Sequence, residues 1–98
     1  MIIVTGSVTA RSEDIERLKQ ASADHVIRSR TEQGCLRHSV LIDCEDPRRL
    51  FFYEEWADYD ALVAHFQQPG SADYIALVRE LAVETTGPDV YEARPASR

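Results

Sequence analysis

At 98 residues the chain has room for one domain, because a second core would need more sequence and a shorter piece would bury too little apolar surface. Seventeen acidic against 11 basic side chains leave a formal charge of -6, the wrong sign for phosphate backbones or anionic lipid, so nucleic acid and membrane are not expected partners. No apolar run approaches the roughly 20 residues that cross a bilayer, and Met1-Ile2-Ile3-Val4 has no basic stretch before it, so the expected compartment is the cytoplasm.

Ile2 to Thr9 is rich in β-branched side chains, with Ile2, Val4 and Val8 on one parity and Thr5, Ser7 and Thr9 on the other, and reads as a first strand. Ser12 then offers an N-cap, with Glu13 and Asp14 in the first turn. Ile15, Leu18, Ser22 and Val26 follow at helical spacing, which predicts an amphipathic helix ending near Arg30. Gly34 breaks that pattern. Leu36, His38, Val40 and Ile42 alternate with polar neighbours up to a turn expected at Asp46-Pro47, a second strand. Leu50 to Trp56 is so densely apolar and aromatic that both faces need cover, as in a central strand with helices on one side and a further sheet opposite.

Asp58 can cap a short helix bearing Leu62, His65 and Phe66. Pro69-Gly70 interrupts it, and Ser71 can cap another helix through Ile75, Val78 and Ala82. Thr85 to Pro88 reads as a connection, Asp89 to Arg94 as a last strand and residues 95–98 as a frayed tail. The order is βαββαβ with a broken second helix, the split βαβ pattern of the α+β ferredoxin-like fold: one four-stranded antiparallel sheet with both helical elements on one face. The other face is then bare, and a second copy would cover it, closing a dimeric α+β barrel. Cys35 and Cys44 fall at opposite ends of the second strand, too far apart along an extended chain to bridge. Neither belongs to a CxxC or Cys/His cluster, so the residues support no metal site and small buried thiols are expected.

The segment Glu32-Gln33-Gly34-Cys35-Leu36-Arg37-His38, followed by Asp46-Pro47 and by Phe52-Tyr53-Glu54-Glu55-Trp56, resembles the antibiotic biosynthesis monooxygenase family. Leu62-Val63-Ala64-His65-Phe66 just before Pro69 extends the likeness to the family's quinol monooxygenase-like members. The resemblance implies a homodimer that needs no cofactor and oxidises a small aromatic substrate with molecular oxygen. The same fold also serves haem degradation, carbonyl isomerisation of small phosphorylated compounds, and members without a known substrate, so a non-catalytic binding or stress-response module stays open. Antibiotic-modifying members resemble a pattern with Asn four residues before the Trp, where this chain has Phe52. The polar residue expected on the first strand for haem degradation is replaced by Gly6 and Ser7.

Triplet oxygen reacts without flavin or metal only if the substrate donates an electron, as a deprotonated quinol or anthrone does. The protein then supplies a dry aromatic pocket, a base and hydrogen-bond donors for the developing anion. His65 is the candidate base, since imidazole titrates near neutrality and its spacing from Leu62 and Phe66 places it on the inward helical face; a hydrogen-bonded core histidine has the same pattern. Trp56, on the parity of Leu50, Phe52 and Glu54, is the second candidate catalytic residue, with its ring as pocket wall and its N–H toward a substrate oxygen, or else it is plain core. Glu54 is either a functional acid or, more simply, the partner of an arginine such as Arg79. Phe52, Glu54, Leu62, Phe66 and Tyr74 complete the expected substrate contacts, Tyr53 suits a dimer contact, and His38 reads as a packing or interface residue rather than a ligand.

Overall fold

The computed structural model describes residues 1–97; of the expected tail, Arg98 lies outside the described residues. Strands β1 (Ile2–Ala10), β2 (Cys35–Asp43), β3 (Asp46–Trp56) and β4 (Ala82–Glu92) alternate with helices α1 (Ile15–Ser29), α2 (Tyr59–Phe66) and α3 (Pro69–Leu81). They form one antiparallel sheet in the order β2-β3-β1-β4. This is the α+β ferredoxin-like arrangement expected from the βαββαβ order. No helix among the described residues is long and apolar enough to cross a membrane.

The register explains why one sheet face becomes core. Ile2 lies opposite Trp56, Val4 opposite Glu54 and Val8 opposite Leu50, while across the other edge of β3 His38 faces Glu54 and Val40 faces Phe52. Paired residues point to the same side, so these side chains stack under the helices. Leu18 and Val26 of α1 and Leu81 of α3 close one apolar cluster with Val8, Leu50 and Phe52. A second cluster gathers Ile2, Val4, Trp56 and Leu62. Between them on β3 sits Glu54, so the core is split by a polar layer. The opposite sheet face carries Leu41 and Tyr91, each more than half exposed, and no element among the described residues covers it.

Several local expectations need correcting. Ser12 does not cap α1: Asp14 occupies the N-cap position without a side-chain bond, because a turn in which Asp14 and Ile15 both donate to Arg11 O starts the helix later. Asp46 and Pro47 belong to β3, and the hairpin turns at Cys44 and Glu45, whose N–H donates to Asp43 Oδ1 at 2.8 Å. Ser71 does not cap α3, which starts two residues earlier with Pro69 in the first turn, where a missing N–H is harmless. The last strand begins at Ala82 and takes in Thr85 to Pro88. It is an edge strand, so Pro88 leaves no central ladder bond unmade, and a register shift between Thr5 and Ser7 with Gly87 at φ 72° absorbs the irregularity. Cys44 is exposed and Cys35 only half-buried, so the expectation of two buried thiols fails. The Asp58 cap is as expected, accepting from Ala61 N at 2.9 Å.

Gly34 joins α1 to β2 at φ 83°, and a Cβ built there would stand 2.5 Å from Ala61 Cβ. Gly34→Ala therefore combines left-handed backbone strain with a clash against α2, and is expected to destabilise the fold by about 1–3 kcal/mol. Urea unfolding checks this; an unchanged midpoint would mean that the loop and α2 separate without penalty.

Candidate active site

The polar layer is built around three imidazoles. His25 comes from the buried face of α1, His38 from the middle of β2 and His65 from the last turn of α2. All three are buried, His38 to 1% exposure, and their ring centroids form a near-equilateral triangle of 5.4 to 5.5 Å. His65 Nδ1 lies 2.9 Å from Glu32 Oε1, in the loop after α1. A carboxylate can only accept, so Nδ1 carries the hydrogen and Nε2 keeps its lone pair. His25 Nδ1 lies 2.7 Å from Arg28 Nη2, a donor, which puts the His25 hydrogen on Nε2.

Trp56, fully buried, packs against His65 with centroids 4.7 Å apart and the rings tilted by 36°, and donates from Nε1 to Glu54 Oε1 at 2.9 Å. That N–H is therefore committed inside the protein and not free for a substrate oxygen, since residues two apart on a strand share a face and an indole spans the gap. Glu54 does not pair with Arg79: its partners are Trp56 and His38, whose Nε2 is 3.3 Å from Oε1. Cross-strand pairing brings His38 to the carboxylate, whereas Arg79 is carried on α3. His38 is thus no interface residue, because it faces the helices. The 3.3 Å approach of Nε2 to Glu54 falls short of hydrogen-bond geometry, and His38 Nδ1 has no hydrogen-bond partner.

Desolvation pushes the Glu54 carboxyl up, but the contact and Coulomb coupling with His38, the Trp56 N–H and the coupling with His65 outweigh it and hold the group below its usual value. Burial, then the neighbouring His38, His65 and Arg28, drive His25 down to about 3. Burial also raises the Tyr74 phenol to about 12, against a smaller opposing effect of Ser22, so it remains a protonated donor. Tyr74 shares a 2.7 Å hydrogen bond with Ser22 and stacks on His25 at 4.4 Å.

These shifts give the acid limb of stability a sign. Between pH 6.5 and 3 unfolded His25 binds a proton that the folded protein refuses, so stability falls on acidification. Glu54, depressed in the fold, contributes stability above pH 4.5 that is lost as pH drops through its folded value. Going from pH 7 to pH 4.5 should remove about 1–3 kcal/mol, allowing for partial solvent screening. Urea titrations at both pH values test this, and the His25→Gln variant should lose less on acidification than wild type; an identical loss would clear His25 of the effect.

A cavity of about 460 Å³ lies between the sheet and α3, open to solvent on one side. Glu54, His65 and His25 stand at one end, Phe52, Phe66 and Tyr74 supply aromatic walls, and Ser7 and Thr86, joined by a 2.6 Å hydrogen bond, lie on the strand side. Of the residues expected to contact a substrate, Phe52, Glu54, Phe66 and Tyr74 line it together with His65. Trp56 and Leu62 do not: both sit behind the wall, in the second apolar cluster. His25 and Glu32 were not expected from sequence. Yet His25 continues the helical spacing Ile15, Leu18, Ser22, His25, Ser29, a local signal that places it on the same buried face as Val26.

The family model for antibiotic biosynthesis monooxygenase matches residues 1–85. The chain belongs to the antibiotic biosynthesis monooxygenase family. Among relatives of this family member, an isomerase of (4S)-4-hydroxy-5-phosphonooxypentane-2,3-dione from Yersinia enterocolitica is 30% identical over 88 residues, 90% of this chain and 88% of that protein. An uncharacterised Synechocystis protein is 25% identical over 91 residues; the chain aligns over 93% of its own length but only 62% of that relative's. A Deinococcus radiodurans crystal structure bearing the same family name superposes with a TM-score of 0.93 at 27% identity, covering 100% of this chain and 97% of that one.

Proposed function

We propose that the chain is a cofactor-independent monooxygenase that oxidises an electron-rich phenol, quinol or anthrone with molecular oxygen. The observation that carries this reading is the Glu32–His65 pair placed against a largely apolar cavity: the carboxylate fixes the tautomer and leaves Nε2 as a base toward a buried substrate. His65 takes the proton of a phenol or of the ring methylene opposite an anthrone carbonyl. The resulting anion gives an electron to oxygen. With an anthrone, one oxygen atom ends as the new ring carbonyl and the other leaves as water, so no external reductant is required. The Tyr74 phenol, kept protonated, is a donor for the developing anion, and Phe52 and Phe66 pack the rings. Trp56 acts from behind, by holding Glu54 and packing against His65.

Oxygen consumption by the chelator-treated protein with a panel of quinols and anthrones tests this, with uptake above the autoxidation blank expected for at least one of them. Uptake no faster than the blank across the panel would overturn the reading. A second reading, isomerisation, is supported by the Yersinia relative and by Arg79, a cation in the cavity wall suited to a phosphate group. Abstraction of a carbon-bound proton by His65 and its return to the neighbouring carbon would suffice. Conversion of a phosphorylated hydroxydione under anaerobic conditions, followed by NMR, separates the two, since isomerisation needs no oxygen. The uncovered sheet face, with Leu41, Phe51, Tyr53 and Tyr91, is the surface by which we expect two copies to pair, giving twice the 11.1 kDa chain mass in light scattering.

A further inference from the structure

The histidine triangle holds more ligand capacity than a base requires. One ring nitrogen from each of His25, His38 and His65 lies within 4.8 Å of the others, and all three residues are buried. His38 is the anomaly. At 1% exposure it leaves Nδ1 without a hydrogen-bond partner and Nε2 with only a 3.3 Å approach to Glu54 that falls short of hydrogen-bond geometry, a state that buried polar groups avoid because the lost hydration is not replaced. Glu32 on His65 Nδ1 gives the carboxylate–histidine arrangement that orients a metal-binding imidazole and raises its basicity. Glu54, a largely buried carboxylate beside His38 and anchored by Trp56, supplies negative charge next to the cluster.

We infer that His25, His38 and His65 form a binding site for a first-row divalent cation of the Zn2+ or Cu2+ type, with its remaining coordination position toward the cavity. Neutral imidazole nitrogens select these borderline cations over Mg2+ or Ca2+, which require oxygen ligands. Three protein ligands with an open position is also the pattern of sites that admit a further ligand. A tetrahedral ion at about 2.0–2.1 Å from each nitrogen sets them about 3.4 Å apart, so the rings close slightly on loading. His25 must also exchange partners. Arg28, whose Nη2 reaches both His25 Nδ1 at 2.7 Å and Gly70 O at 3.0 Å, keeps the carbonyl and releases the imidazole, letting Nδ1 take the proton and Nε2 bind. The site does not depend on the oxygenase reading. It competes with it, because the metal takes the His65 lone pair that a base would use, and the loaded protein is expected to be slower in that reaction than the metal-free one.

The test uses the full chain stripped with chelator and titrated with ZnCl2 by calorimetry, and with CuSO4 by electron paramagnetic resonance, in the absence of substrate. One Zn2+ per chain is expected, with nitrogen hyperfine structure on Cu2+. His38→Gln should weaken Zn2+ binding at least ~100-fold and reduce the nitrogen count, and Glu32→Gln should weaken it about 10- to 100-fold. The Cys35→Ser/Cys44→Ser variant should bind as wild type does. Binding well below one per chain, affinity indifferent to His38→Gln, or affinity lost with the two thiols would each overturn the site. Should His38→Gln fail to fold, the decision passes to Glu32→Gln, whose side chain reaches the cluster only through His65; unchanged affinity there would overturn the site. Since binding is read without substrate, failure of the oxygen-uptake experiment leaves this result standing, and the reverse.

Discussion

His65→Ala is expected to lower kcat for oxygen uptake by about 10²–10⁴-fold on whichever quinol or anthrone the wild type accepts, the usual contribution of a positioned general base. KM should change much less, since Phe52, Phe66 and Tyr74 still form the cavity walls. His65 is also buried and packed against Trp56, so the truncation opens a void as well as removing a base. His65→Gln separates the two effects: it fills most of the space and can still donate to Glu32, but its amide cannot accept the substrate proton. Both variants should therefore be slow, while only the alanine variant loses appreciable stability. Glu32→Gln should fall between, because the imidazole remains but its tautomer is no longer imposed. A His65→Gln variant that turns over at the wild-type rate would remove His65 from the chemistry.

Trp56→Ala carries the largest expected change in stability. The indole is fully buried among Ile2, Val4 and Leu62, and removing a ring of that size from a core costs about 3–5 kcal/mol. Glu54 loses its 2.9 Å donor in the same substitution, which leaves a largely buried carboxylate short of a partner and adds about 1–3 kcal/mol. Against the 5–15 kcal/mol that holds a typical domain, this is enough to unfold much of the population, and a fall in Tm of at least about 15 °C is expected. Trp56→Phe keeps most of the apolar contact and loses only the N–H, so it should lose about 1–3 kcal/mol. Thermal unfolding followed by circular dichroism reads both. Equal stability of the phenylalanine variant and wild type would show that the Trp56–Glu54 bond contributes nothing net.

The element order was legible because its signals are local. Alternation of Ile2, Val4 and Val8, the helical spacing of Ile15, Leu18 and Ser22, and the density of Leu50 to Trp56 each follow from a side chain and its near neighbours, as does the Asp58 cap. The start of β4 was not. Thr85 to Pro88 carries turn residues, and only the approach of Gly6 on β1 and the register shift beside it show that a strand continues through them.

The candidate site divides in the same way. Sequence alone placed His65 on an inward helical face and Glu54 and Trp56 on one side of β3, because periodicity fixes the face on which a residue lies. It did not determine what each one meets there. That Glu54 faces His38 instead of Arg79 follows from the pairing of β2 on β3. That Glu32 reaches His65, and that His25 completes the triangle, depends on how α1 and its following loop seat against α2. Those contacts join residues distant along the chain, so they are set by the packing of whole elements. Tertiary structure decided them because no neighbouring side chain encodes the register of a strand or the seat of a helix.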